Sequence, residues 1–347
     1  MDASIARAEV LPYALAFKET YASARGALEQ RELVLLRLRS SEGAVGLGEA
    51  VPLSLRGGLS LEAVAAELRD WAEAPRGLGE GLSAPARCAI ETALLDLEAR
   101  TAGVPLWRLL GAEAAKPVEC NATLGAGAPL HVAQRARDWA AAGFRTFKLK
   151  AGVIDDVAQA SMVRRTLGPQ AQLRVDANGA WEPAEAFEHL RAMNREAQLQ
   201  LAEQPCASLE DLAVLRKRIE LPICADESVT GPEDGRAAVA AEACDMATVK
   251  LSKVGGIRAA LRTAEVLPVY MSSALDGPVG IAAAAHAVQA LPPAGDAGLA
   301  HGLATQRLFS NTVAAVECDL RDGFLHLPPG PGLGVEIDDG ALERHRL

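Results

Sequence analysis

The 347-residue sequence predicts an α/β protein: a TIM-type (β/α) barrel of seven or eight units with a smaller α+β capping domain. Three observations carry this prediction. From Val118 onward, short β-type runs alternate with helical stretches, and the run ends from Lys150 to Lys250 recur every 23 to 27 residues. Ahead of Val118 the pattern is that of a hairpin followed by a helix. The consecutive runs in the middle of the chain each end on a charged residue, where barrel chemistry is located.

Composition narrows the field. Half the residues are apolar and 23% are charged, which suffices for a large core. With 4 Trp, 3 Tyr and 6 Phe, that core must be mostly aliphatic. The net charge of -10 lacks the positive footprint of a nucleic-acid binder. The opening residues have no basic start before an apolar run, so no secretion signal is expected. The apolar stretch 279–291 contains His286 and Gln289 and is too short to span a bilayer, so no membrane partner is expected. Six scattered cysteines without a C-x-x-C pair read as reduced thiols of a cytoplasmic protein.

In chain order, residues 31–38 read as a strand, 40–43 as a turn and 44–49 as the returning strand. A loop over 17–27 is expected to cover the barrel mouth. Residues 83–102 show helical spacing, with Pro85 near the start and Gly103 just past the end. These elements make up a capping domain over 1–115. The barrel occupies 116–314, with runs at 118–123, 146–150, 172–176, 200–203, 222–226, 246–250 and 268–272. No G-x-G-x-x-G follows the first run, which argues against a dinucleotide fold. Gly255-Gly256 reads as a tight turn in preference to an anion seat. The tail, 315–347, has one β-like run at 323–327 and a Pro/Gly segment, and is expected to return to the capping domain.

The charged run ends are Lys150, Asp176, Glu203, Asp226 and Lys250. Strand alternation puts Lys148 on the same face as Lys150, and Asn178 on the same face as Asp176 provided the strand geometry persists that far. Two lysines at one mouth need negative charge nearby, and three adjacent carboxylates need a cation between them. Oxygen ligands without Cys or His favour a hard divalent ion, Mg²⁺, with Mn²⁺ as a substitute. The histidines show no metal-ligand spacing. His131, His189 and His286 fall in helical stretches and read as packed or solvated, while His301 falls where an eighth strand is due.

At these residues the sequence resembles the enolase superfamily, in its muconate-lactonizing subgroup. The likeness rests on Thr-Phe-Lys-Leu-Lys at 146–150, Arg-Val-Asp-Ala-Asn-Gly-Ala-Trp at 174–181 and Ala-Glu-Gln-Pro at 202–205. Ala-Asp-Glu-Ser at 225–228 and Val-Lys-Leu-Ser-Lys-Val-Gly-Gly at 249–256 complete it. The resemblance implies that Asp176, Glu203 and Asp226 bind Mg²⁺ and that Lys150 and Lys250 act as acid/base groups on opposite faces of a small carboxylate substrate. It implies that Lys148 depresses the Lys150 pKa, and that Asn178 and Glu227 orient the inner residues. It leaves room for a homo-oligomer.

Two reactions fit that resemblance. One is the dehydration that makes o-succinylbenzoate in menaquinone biosynthesis, a carbon–oxygen lyase reaction. The other is racemisation of N-acylamino acids or epimerisation of dipeptides, an isomerase reaction. Residues 299–305 lack the Asp-x-Asp that holds a dipeptide ammonium, and Gly302 to Thr305 resemble the synthases. Ser272 and Ser273 are expected to bind a substrate carboxylate. A shortened connector at 265–268 leaves their placement open to a shift.

Overall fold

The computed structural model describes residues 5–23, 26–53, 58–75, 77–153 and 155–347. The first four residues and two residues of the 17–27 segment therefore lie outside the described part.

The capping unit begins with β1 (Ile5–Ser23), β2 (Gly26–Ser40) and β3 (Val45–Ala50), an antiparallel sheet in that order. β1 and β2 stay paired as far as Ser23 opposite Gly26. The segment expected as a loop over 17–27 is therefore mostly a long ribbon. Its alternation is obscured by Pro12, which is tolerated because β1 is an edge strand. Two helices cover the sheet, α1 (Leu61–Glu73) and α2 (Ala84–Thr101). The Ser60 hydroxyl accepts from Ala63 N–H and the Ser83 hydroxyl from Ala86 N–H, satisfying free N-terminal donors. Helix α2 is buried along most of its length, and its alanines let β3 approach closely. A Cβ at Gly48 would lie 1.9 Å from the Ala89 carbonyl oxygen, so that approach requires glycine.

Beyond α3 (Leu106–Leu109) and β4 (Val118–Glu119), the barrel strands follow in sequence. They are β5 (Ala122–Leu124), β6 (Thr146–Lys150), β7 (Gln172–Asp176), β8 (Leu199–Glu203), β9 (Ile223–Ala225), β10 (Met246–Val249) and β11 (Val269–Met271). Each pairs in parallel with its sequence neighbours. The outer helices are α4 (Pro129–Ala141), α5 (Asp156–Leu167), α6 (Pro183–Ala197), α7 (Leu209–Arg216) and α8 (Pro232–Ala240). The short α9 (Leu251–Val254), α10 (Ile257–Ala264) and α11 (Pro278–Gln289) complete the layer. Closure is irregular. Residues 296–302 bridge to Val269 and Ser272 on one side and, through His301, to Cys120 on the other.

The expected run at 118–123 is divided between two sheets. β4 pairs with the tail, in which β12 (Ala314–Val316), β13 (Asp319–Arg321), β14 (Phe324–His326), β15 (Glu336–Ile337) and α12 (Asp339–Arg344) follow one another. The tail also touches β1: His345 O accepts from Ala14 N–H at 2.9 Å, and Leu347 N–H donates to Pro12 O at 3.1 Å. Buried Asp96 of α2 accepts from Leu47 N–H and Leu333 N–H and pairs with Arg100.

The Gly255-Gly256 turn leads into α10, whose N-terminal Arg258 N–H donates to Glu91 from the cap. An internal carboxylate therefore sits there, in the position of the alternative anion reading. All six cysteines are free, and no described helix is long and apolar enough to cross a membrane.

Candidate active site

The parallel register brings the charged residues together. Lys150 on β6 lies opposite Asp176 on β7, which lies opposite Glu203 on β8. Asp226 follows β9 directly, and Lys250 follows β10, where it opens α9. Asp176, Glu203 and Asp226 have no exposed surface, and each places a carboxylate oxygen within 4.8 Å of the others.

Buried lysines surround the acids. Lys148 Nζ lies 3.0 Å from Asp176 Oδ2 and 2.6 Å from Glu203 Oε2. Lys150 Nζ donates to Asp176 Oδ2 at 2.7 Å and to Asn178 Oδ1 at 2.9 Å. Lys250 Nζ contacts Asp226 Oδ2. The Asn178 amide donates to Glu227 Oε1 at 3.0 Å, so Glu227 acts on Lys150 through Asn178. Strand geometry does not persist to Asn178: β7 ends at Asp176, and Asn178 reaches Lys150 from the left-handed region, at φ 51°.

Burial and charge pull in opposite directions here. Burial alone would raise the Asp176 carboxyl, but Lys148 and Lys150 hold it below the usual carboxylate range. Glu203 is raised, since burial outweighs the attraction of Lys148. Burial would lower Lys148, yet Asp176 and Glu203 raise it. Lys150 is also raised: Asp176 and Tyr21 outweigh burial and the repulsion of Lys148. The expected depression by Lys148 is present but overridden.

Four residues of this layer escaped the sequence reading. Lys253 Nζ donates to Asp226 Oδ1 at 2.9 Å and to Thr248 O at 3.0 Å. Tyr270 O–H donates to Glu203 Oε2, and the Arg174 guanidinium stacks 5.0 Å from the Tyr270 ring centre. Gln204 Oε1 accepts from Asp226 N–H at 2.7 Å, which sets the start of that loop. Arg174 shares a strand face with Asp176 by the same two-residue rule that paired Lys148 with Lys150.

One cavity lies over this cluster. Lys148, Lys150, Asn178, Lys250, Ser272 and Ser273 line it, joined by Arg31, Thr305, Tyr21 and several apolar side chains. The shortened connector does not carry Ser272 and Ser273 out of the cavity. His301 serves the frame: its Nδ1 accepts from Met271 N–H at 3.0 Å. His286 is placed similarly, accepting from Trp107 N–H at 3.0 Å.

The acids fit a divalent metal. Glu203 Oε1 is buried without a hydrogen-bond partner, and three hard oxygen donors converge around it.

Fold and site together define a barrel enzyme that places a carboxylate triad and a pair of lysines under one cavity. The chain belongs to the enolase superfamily. Residues 131–341 match the enolase C-terminal domain-like family, and residues 8–111 match the N-terminal domain of mandelate racemase and muconate lactonizing enzyme. It is 41% identical over 198 residues to an o-succinylbenzoate synthase of Thermobifida fusca, a match covering 55% of this chain and 60% of the synthase. It is 32% identical to muconate cycloisomerase 1-2 of Acinetobacter lwoffii, covering 90% of this chain and 88% of the relative. A dipeptide epimerase from Enterococcus faecalis, solved with Mg and the dipeptide L-Leu-L-Tyr, superimposes with a TM-score of 0.88. That structure is 27% identical, with 96% of this chain and 99% of the other covered.

Proposed function

We propose that the protein is a Mg²⁺-dependent dehydratase that makes o-succinylbenzoate, acting in the cytoplasm on a small dicarboxylate. The observation that carries this reading is a cavity lined by Arg31, Lys148, Lys150 and Lys250 with no carboxylate among its described lining residues. Such a lining favours a substrate with two negative charges and leaves a dipeptide ammonium without a counter-ion. The 41% identity to a synthase supports the same choice.

Asp176, Glu203 and Asp226 would hold the Mg²⁺, which when bound stabilises negative charge on a substrate carboxylate. Lys150, whose neutral form a divalent cation held by Asp176 would favour, takes the proton α to the carboxylate, and the C–H electron pair delocalises into the carboxylate. That pair then returns to form the double bond as the β C–O bond breaks. Lys150 gives its proton to the departing hydroxyl, which leaves as water. Lys250 stays cationic beside the substrate and offsets the negative charge. Asn178 and Glu227 orient the Lys150 nitrogen, and Ser272 and Ser273 supply hydroxyls to a carboxylate.

The similarity to a dipeptide epimerase supports a second reading, racemisation of N-acylamino acids, in which the two lysines exchange a proton across the substrate. These acids carry no free ammonium, so the cationic lining accepts them too. The readings separate when the protein is given the cyclohexadiene precursor of o-succinylbenzoate and, separately, N-succinyl amino acids in deuterated water. Dehydration faster than racemisation is expected, and the reverse order would overturn the assignment.

A further inference from the structure

Glu49 of β3 is fully buried, is not part of the cavity lining and has no place in the chemistry above. It nevertheless crosses from the cap to the barrel. Its Oε1 accepts from Gly277 N–H at 2.7 Å and Gly280 N–H at 3.3 Å, at the start of α11. Its Oε2 accepts from the Tyr13 hydroxyl at 2.7 Å. A Cβ at Gly277 would come within 2.3 Å of the Tyr13 oxygen, so the backbone is drawn as close as glycine permits.

The residues immediately before Gly277 form a cavity wall. Ser273, Ala274 and Leu275 line the cavity, and Leu275 is held at φ 68°, a region that a branched residue rarely enters. Ser273 Oγ accepts from Leu275 N–H and Asp276 N–H, and Asp276 accepts from Ala274 N–H. The far end of this turn is Gly277, which Glu49 holds.

We propose that Glu49 is a positioning residue: with Tyr13 it anchors Gly277 and the start of α11, and so holds the Ser273–Leu275 wall in its substrate-facing form. Cap docking thereby becomes a condition for a formed site. The proposal rests on this cavity receiving the substrate but not on which reaction follows. Burial, with Asp276 beside it, raises the Glu49 carboxyl to about 7, so an uncharged amide of the same shape is a fair replacement.

The test compares Glu49→Leu with Glu49→Gln by amide hydrogen exchange and steady-state kinetics. Exchange across residues 272–281 is expected to quicken at least tenfold in Glu49→Leu, with β6 to β8 unchanged, and to return within twofold of wild type in Glu49→Gln. KM for the carboxylate substrate should rise about tenfold in Glu49→Leu while kcat stays within threefold. Wild-type exchange at 272–281, or exchange raised equally across the whole chain, overturns the proposal. So does a fall in kcat at unchanged KM. If Glu49→Leu does not fold, Tyr13→Phe carries the test: exchange should quicken at least threefold over 272–281 alone, and an unchanged rate overturns the proposal. The exchange arm needs no substrate, so its outcome is separate from that of the proposed reaction.

Discussion

Lys150 is tied to Asp176 and Asn178 by its side-chain nitrogen; Asp176 ends the neighbouring strand β7 and Asn178 lies two residues beyond it. Replacing it with alanine removes the proposed base and leaves the strand ladder intact, because ladder bonds run through the backbone. Lys150→Ala is expected to lose at least about 10³-fold in turnover, within the range of general-base contributions, with an unchanged circular dichroism spectrum. Substantial residual activity would remove Lys150 from the mechanism. The buried histidines give a second test at this scale. His286 and His301 each accept a backbone N–H on Nδ1, and burial lowers both to about 4. The unfolded chain takes up protons near 6.5 that the folded chain refuses. Their stabilising contribution is complete above about pH 6.5 and is lost as pH falls toward 4, by up to about 3 kcal/mol apiece. Denaturant unfolding at pH 7 and pH 5 should show this loss, and His301→Asn should reduce it. An identical pH dependence in that variant would contradict the account of His301.

At the scale of elements, β3 and α2 meet backbone to backbone at Gly48. Gly48→Ala is expected to destabilise the cap by at least about 1–3 kcal/mol, the usual cost of overpacking, read as a lower denaturation midpoint. An unchanged midpoint would show that the helix can retreat. The legibility of these elements followed the range of the forces that set them. β6 and β7 were readable to the residue because short runs such as Leu173 to Val175 end on Lys150 and Asp176. β1 was not, because Pro12 breaks the alternation and the partner strand fixes the pairing. The closing segment 296–302 has no strand pattern of its own and is held by bridges to Val269, Ser272 and Cys120. Lys150, Asp176, Glu203, Asp226 and Lys250 stood out because barrel strands display their ends. Tyr270 did not, since its partner Glu203 lies 67 residues away and nothing local marks a tyrosine as the partner of that carboxylate.

Across the whole molecule, three carboxylates are enclosed by the ammonium groups of Lys148, Lys150, Lys250 and Lys253. Strands β6 to β10 and the α9 turn carry these groups, so binding of a cation would report on the integrity of that part of the barrel. An ion that binds only the folded chain should stabilise it by about 2.7 kcal/mol at a concentration one hundred times its dissociation constant. Thermal unfolding with and without Mg²⁺ is expected to show that gain, and Asp226→Asn should diminish it. A transition unmoved by Mg²⁺ would argue against the triad as a site. The most direct measurement is calorimetric titration of Mg²⁺ into chelator-stripped protein, alongside Glu203→Gln. The account predicts one ion per chain in the wild type and an affinity at least tenfold weaker in the variant. Equal affinity in the two proteins, or no binding by the wild type, would contradict it.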